Sequence, residues 1–195
     1  MILYGIIVII SISLIVLFNS LFNPMALAWY TYLLWVVLFV VAVVIIDALV
    51  AIIIRKLPEK CININSRFYN SSNKKLNLYK KLGVTKWKDL VPELGNFTNF
   101  HKNRVEKPND NEYISRFILE VCYGISIHFW SMILGLLILL IDYKMFIGGS
   151  NLFLTIGLPI TIVNGLLNYL PYVILSFNLP RLKNIYNLNK QTQTR

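Results

Sequence analysis

Cysteine and histidine each occur only twice among the 195 residues. Cys61 and Cys122 lie far apart, with no metal-ligand spacing and no disulfide framework, and both read as reduced thiols. His101 falls in a basic stretch and reads as a solvated side chain. With no His-Glu-x-x-His pair and no carboxylate cluster, no metal site is expected. A Gly-rich phosphate loop and a Gly-x-Ser-x-Gly elbow are missing too, and Gly148-Gly149-Ser150 reads only as a turn. Charge is scarce: 14% of residues are charged and 56% are apolar, against ~25% and ~45–50% in ordinary soluble domains. With a mean hydropathy of +0.61, this excludes a soluble globular domain and a disordered chain. Acids are scarcest, 9 against 19 Lys and Arg, giving a net charge of +10. Such an excess points to nucleic acid or an anionic membrane surface, and long apolar runs choose the membrane.

Four runs are long enough to cross a hydrocarbon core, which takes ~20 apolar residues in a helix. They are residues 2–22, 26–54, 117–141 and 152–177. Lipid offers no partners to backbone polar groups, so each run is expected to be a helix, with Pro159 and Pro171 as expected kinks. Ala26-Leu27-Ala28 resembles a signal-peptide cleavage site, but no basic residue precedes the first run and a second span follows at once, so a permanent span is expected. Asn19, Asn23 and Pro24 mark a turn that makes residues 1–54 a hairpin; residues 117–182 form a second one.

Between the hairpins, residues 55–116 hold 14 of the 19 basic residues and six acids. The tail, residues 183–195, is basic as well, whereas the opposite connections hold only Asp142 and Lys144. The positive-inside rule then places the long loop and both termini in the cytoplasm, in a multi-pass cell-membrane protein. Apolar and basic residues interleave from Leu76 to Lys88, as in helical segments lying on an anionic leaflet. Asn109-Asp110-Asn111-Glu112 reads as a capped start of the third helix. Gln191 to Arg195 read as a frayed end. The expected fold is an all-α integral membrane protein with four transmembrane helices and one long basic loop carrying interfacial helices.

An ionisable group at mid-bilayer costs ~2.5–3.5 kcal/mol or more, so each one demands a reason. At 1.5 Å per residue, Asp47 lies roughly 12 Å from Arg55, His128 about 16 Å from Phe117, and Asn168 about 14 Å from Phe177. Similar depths imply a shared polar pocket among spans two, three and four. Each residue also has a plain alternative, as hydrogen-bonded packing between helices. Glu120 is shallower and either reaches the interface or pairs with Arg181. Few charges in the spans and no inverted repeat disfavour a transporter.

The run Leu82-Gly83-Val84-Thr85-Lys86-Trp87-Lys88-Asp89, continuing to Pro92-Glu93-Leu94-Gly95 and Lys102, resembles a Trp-Lys-Asp…Pro-Glu-x-Gly pattern of the glycosyl-4,4'-diaponeurosporenoate acyltransferases. Glu120 and His128 are similar to that family's Glu-x7-His. Asn168 with Asn178-Leu179-Pro180-Arg181-Leu182 is similar to its Asn…Asn-x-x-Arg-Leu, and Lys56-Leu57-Pro58 to its Arg-x-Pro. The resemblance covers about residues 55–182. Departures are Ser72-Asn73 where an acid is usual, Gly124-Ile125 in place of Ala-Glu before the histidine, and Phe177 for a tyrosine.

The resemblance implies transfer of a fatty acyl group to a sugar hydroxyl of a membrane glycolipid, a glycosyl carotenoid that becomes a staphyloxanthin-type pigment. Acyl-CoA or a similar activated donor from the cytosol is a co-substrate, and no cofactor is expected. The expected roles are His128 as general base, for which an imidazole pKa near ~6.5 is suited, and Asn168 as oxyanion donor. Asp47 orients the imidazole, an expectation from depth alone. Lys86, Lys88 and Arg181 hold the donor's phosphates, Trp87 anchors that segment at the interface, Glu120 contacts sugar hydroxyls or pairs with Arg181, and Asn178 is a further substrate-binding residue. Expected partners are the glycolipid acceptor, the acyl donor and anionic inner-leaflet lipids, with no nucleic acid. The competing reading is a non-catalytic membrane module that binds a glycolipid or scaffolds a lipid-synthesis complex.

Overall fold

The computed structural model describes residues 2–23, 27–91, 105–140 and 153–193. Helix α1 spans Ile2–Phe22 and α2 spans Trp29–Lys56. Two short helices follow in the loop, α3 (Asn73–Lys81) and α4 (Val84–Trp87). Helix α5 (Asn111–Leu134) tightens into a 3₁₀ turn over Gly135–Leu140. A π turn at Phe153–Gly157 leads into α6, Leu158–Gln193. No strand occurs among the described residues, and four of the helical segments are long and apolar enough to cross a membrane.

The expected boundaries shift in two places. The second span starts at Trp29 rather than residue 26, and residues 24–26 lie outside the described ones. The third begins at Asn111, at the capped start expected there, where Asp110 Oδ1 accepts a hydrogen bond from the Tyr113 amide at 3.0 Å. The last does not stop near residue 177: it stays helical through Gln193. Its polar end is held from outside, since Lys183 Nζ donates to the Ile64 carbonyl (2.6 Å) and Asn70 Oδ1 (2.7 Å), and Asn189 Nδ2 donates to the Pro108 carbonyl at 2.7 Å. Leu179 and Leu182 are buried beneath these contacts.

Two compact units divide the chain. The first takes Met1–Ile52 and Trp130–Tyr169, the second Ile53–Phe129 and Leu170–Arg195. In the first, Tyr32, Val36, Phe39 and Val43 of α2 form a core with Ile15, Ile138, Ile156 and Ile160. In the second, α3 is capped by Ser72, whose hydroxyl accepts from the Lys75 amide. The chain then turns at Gly83, whose φ of +67° lies in the left-handed region that glycine enters without steric cost. Tyr79, Val84 and Val91 are buried, while Leu78, Leu82 and Leu90 are exposed.

Prolines 159, 171 and 180 share one device. A proline supplies no N–H to the carbonyl four residues earlier, and an unsatisfied carbonyl is costly where water is absent. All three carbonyls receive a donor from elsewhere: Thr155 from Asn19 Nδ2 at 2.9 Å, Leu167 from the Tyr4 hydroxyl at 3.4 Å, and Ser176 from the Ser71 hydroxyl at 3.2 Å. Ser71→Ala removes the last of these donors without creating a large void. It should destabilise the protein by about 1 kcal/mol, read as a fall of about 2–4 °C in melting temperature in detergent. An unchanged melting temperature would show that the Ser176 carbonyl needs no such partner.

Candidate active site

In the first unit, α2 and α6 bring Asp47 and Asn168 together. Asn168 Nδ2 donates to Asp47 Oδ2 at 3.0 Å, and also to the backbone carbonyl (3.2 Å) and Oδ1 (3.0 Å) of Asn164, one turn back on α6. Its two amide hydrogens are therefore engaged, and donating to an oxyanion would require exchanging one of these bonds. Asp47 Oδ1 is buried and accepts no hydrogen bond among the described residues. The same holds for the Ser131 hydroxyl and for Asn164 Nδ2 as a donor.

Gly135 and Asn164 meet so closely that a Cβ on the glycine would stand 2.6 Å from Asn164 Nδ2, while Ile138 shares the core with Ile156 and Ile160. Moving back along α5 thus means moving forward along α6. Ser131, one turn before Gly135, therefore lies near the level of Asn168. Asp47, Ser131, Asn164 and Asn168 make one polar layer in the first unit. Asn164 is visible in the sequence as an i, i+4 partner of Asn168. Ser131 carries no sequence signal beyond its residue type.

The second unit holds His128, half-buried on α5 and engaged with its surroundings. The turn that carries it is covered by the loop. Tyr69 and Ser126 share a hydrogen bond of 2.7 Å, Phe68 stacks edge-on against Phe129 at 5.1 Å, and Tyr172 lies 6.3 Å from Phe129. Burial pushes the Tyr69 hydroxyl's pKa up, although its bond to Ser126 works the other way. Lys75 donates to the Tyr172 hydroxyl at 3.0 Å and lies over the Tyr79 and Tyr172 rings. Burial disfavours its charged form, but the Tyr172 bond and neighbouring Tyr79 outweigh it and hold the ammonium above the ordinary lysine range.

Glu120 does not meet Arg181 in this arrangement. Its carboxylate is clasped by Arg55 at 3.0 Å and by Arg116 at 2.8 Å, and Arg116 also reaches Glu59 at 2.6 Å. The reason is register: Arg116 stands one helical turn before Glu120, and Arg55 arrives from the end of α2. Tyr123 donates to the Leu57 carbonyl at 3.1 Å and fixes the first residues of the loop. Both arginine side chains are about half exposed and that of Glu120 only 12%, so the acid is the sheltered centre of the network. The Arg116–Glu120 spacing is a sequence signal; the arrival of Arg55 is not.

Of the remaining predicted residues, Lys86 and Arg181 are exposed and Lys88 and Asn178 are half-buried and partnered. Trp87 turns its indole N–H back to the Leu82 carbonyl at 3.0 Å, closing the α3–α4 corner. No group of His, Cys, Asp and Glu suited to a metal ion occurs among the described residues.

Compared with known proteins, residues 65–188 match the family model described as glycosyl-4,4'-diaponeurosporenoate acyltransferase. No curated protein and no solved structure matches the chain.

Proposed function

From the premise that the chain belongs to the glycosyl-4,4'-diaponeurosporenoate acyltransferase family, we propose that it moves a fatty acyl group from an activated cytosolic donor, acyl-CoA or a similar thioester, to a sugar hydroxyl of a membrane glycolipid, a glycosyl carotenoid or a close relative. The observation that carries this reading is the family match over 65–188, which takes in most of the loop and the segments bearing Glu120, His128 and Asn168. The membrane setting supports it. An acceptor with a long apolar tail is held where four helices are apolar enough to span a bilayer, and a soluble donor arrives at a basic loop, which the reading places on the cytoplasmic side with both termini.

In this mechanism neutral His128 takes the proton from the attacking sugar hydroxyl as its oxygen adds to the thioester carbonyl. Collapse of the tetrahedral intermediate expels the thiolate, which is protonated in turn, and the ester remains on the sugar. Exposed Lys86, with Lys88 and Arg181, draws the donor's phosphates to the surface, and Trp87 stiffens that segment. Asn178 contributes hydrogen bonds to the sugar. Glu120 acts through Arg55 and Arg116, setting two half-exposed guanidinium groups for anionic parts of the donor.

The direct test is a comparative lipid mass spectrum of a host that supplies glycolipids and expresses either this chain or an empty vector. A glycolipid heavier by one acyl group, present only with the chain, establishes the transfer and identifies the acceptor. No difference despite suitable acceptors sinks the enzyme reading and leaves the glycolipid-binding module. Asp47→Asn separates a supporting role from a bystander's: a slowed transfer in a well-inserted variant ties the Asp47–Asn168 pair to the reaction, and an unchanged rate removes Asp47 from it.

A further inference from the structure

Acyl transfer places negative charge on the thioester oxygen as the sugar oxygen adds, and a donor aimed at that oxygen is a large part of such catalysis. Asn168, the expected donor, has both amide hydrogens engaged by Asp47 and Asn164 in the first unit. The second unit, which carries His128, offers a different group. There α5 and α6 run antiparallel. A Cβ on Gly124 would meet Leu175 Cδ1 at 2.7 Å, and Phe129, five residues further along α5, meets Tyr172, three residues back along α6. His128 stands one turn past Gly124 on the same face of α5. It is therefore turned toward α6 at the level of Tyr172. The Tyr69 hydroxyl is bonded instead to Ser126, which lies two residues before His128 and so on the opposite side of α5.

The loop brings a cation to Tyr172. Ser71 donates to the Ser176 carbonyl and Lys75 to the Tyr172 hydroxyl. These contacts are four residues apart on both segments, so the start of α3 lies along one turn of α6. Lys75 Nζ also stands 5.0 Å from the centre of the Tyr172 ring and 5.7 Å from that of Tyr79, where ring faces attract a cation. A hydroxyl that accepts from an ammonium becomes a better donor itself, because linked hydrogen bonds polarise one another. Lys75 and Tyr172 are both half-buried. They are sheltered enough for charge to act strongly and open enough for a substrate to arrive.

We infer that the Tyr172 hydroxyl is the oxyanion donor of the transfer and that Lys75 is the residue that positions and polarises it. This assignment rests on the acyltransferase reading, with His128 as base, and deepens it. The sugar oxygen bonds to the thioester carbon while His128 takes its proton, and the C=O electron pair moves onto the oxygen that Tyr172 holds. When the pair returns, the C–S bond breaks and the thiolate leaves with the proton from His128. Tyr172 lends a hydrogen bond and transfers no proton.

The test gives the purified chain palmitoyl-CoA and the glycolipids extracted from the host, and reads kcat, KM and melting temperature together. Tyr172→Phe keeps the ring against Phe129 and under Lys75 and removes only the hydroxyl. It should lower kcat by ~10²–10³-fold, with the KM for palmitoyl-CoA and the melting temperature unchanged. Lys75→Met should lower kcat about tenfold or more, as loss of a charged hydrogen bond does. Lys75→Arg, which still donates to the hydroxyl, should recover most of that loss. Tyr186→Phe is the control, because it deletes a hydroxyl beneath another lysine, Lys190, about 21 Å further along α6 at 1.5 Å per residue. It should leave kcat unchanged.

Parental kcat in Tyr172→Phe, or in Lys75→Met where Tyr172→Phe does not insert, overturns the assignment and leaves the acyltransferase reading intact. A raised KM at parental kcat also overturns it and makes the pair a holder of the donor's phosphates. A lower kcat that tracks a lower melting temperature, with no rescue by Lys75→Arg, overturns it in favour of packing. Absence of product from the unsubstituted chain overturns the acyltransferase reading, and the assignment falls with it.

Discussion

The His128→Ala variant is expected to insert normally and to lose acyl transfer by at least ~10²-fold, the usual worth of a positioned general base. Imidazole is the side chain that changes charge near neutral pH without special tuning. The chain has one other histidine, His101, outside the described residues, so a substitute within the same turn of α5 does not exist. His128→Gln sharpens the test. Glutamine still makes hydrogen bonds but accepts no proton at neutral pH, so a catalytic base predicts the same loss in both variants. If glutamine restores the rate, the residue is packing glue between helices. Stability gives the control, since Phe68, Tyr69 and Phe129 around that turn are untouched by either change.

The second large effect belongs to Glu120. Glu120→Ala leaves Arg55 and Arg116 without the carboxylate that joins them, and Arg116 keeps only Glu59. A sheltered acid with two guanidinium partners is worth more than an ordinary surface pair, though solvent at the half-exposed arginines limits the cost to about 1–3 kcal/mol. The melting temperature in detergent should fall by several degrees, and Arg116→Ala should show a similar fall because it releases both acids. In a double-mutant cycle, Glu120→Ala and Arg116→Ala should cost clearly less together than the sum of the two. If Glu120→Ala abolishes transfer with no change in melting temperature, the carboxylate touches substrate, as its place in the Glu-x7-His pattern first implied.

Much of this arrangement follows from elementary patterns. Long uncharged runs force helices because lipid leaves the backbone no other partner, and the four spans followed from that alone. The Ser72 cap, the turn at Gly83 and the capped start of α5 are local devices written in three or four adjacent residues. The family, too, was carried by short motifs in order along the chain, from Trp87-Lys88-Asp89 to Asn178 and Arg181.

Tertiary structure decided what depends on side chains far apart in sequence. The apolar run ends at residue 177 and only residues 191–195 read as a frayed end, whereas α6 runs on through Gln193, with residues 194–195 outside the described ones. Its polar end is helical because Asn70, Ile64 and Pro108 offer acceptors to Lys183 and Asn189. Residue depth placed Asp47 and Asn168 at one level, and the structure joins them by a 3.0 Å hydrogen bond. Depth said nothing of rotation about the helix axis, and so missed Ser131 and Asn164 in the same layer. For Glu120, sequence offered Arg181 on grounds of level, whereas the actual partners are set by an i, i+4 turn and by where α2 ends. The donors to the three carbonyls released by prolines are the clearest case. The prolines and their missing N–H groups are plain in the sequence, but Asn19, Tyr4 and Ser71 become their remedies only through packing, which local propensity does not encode.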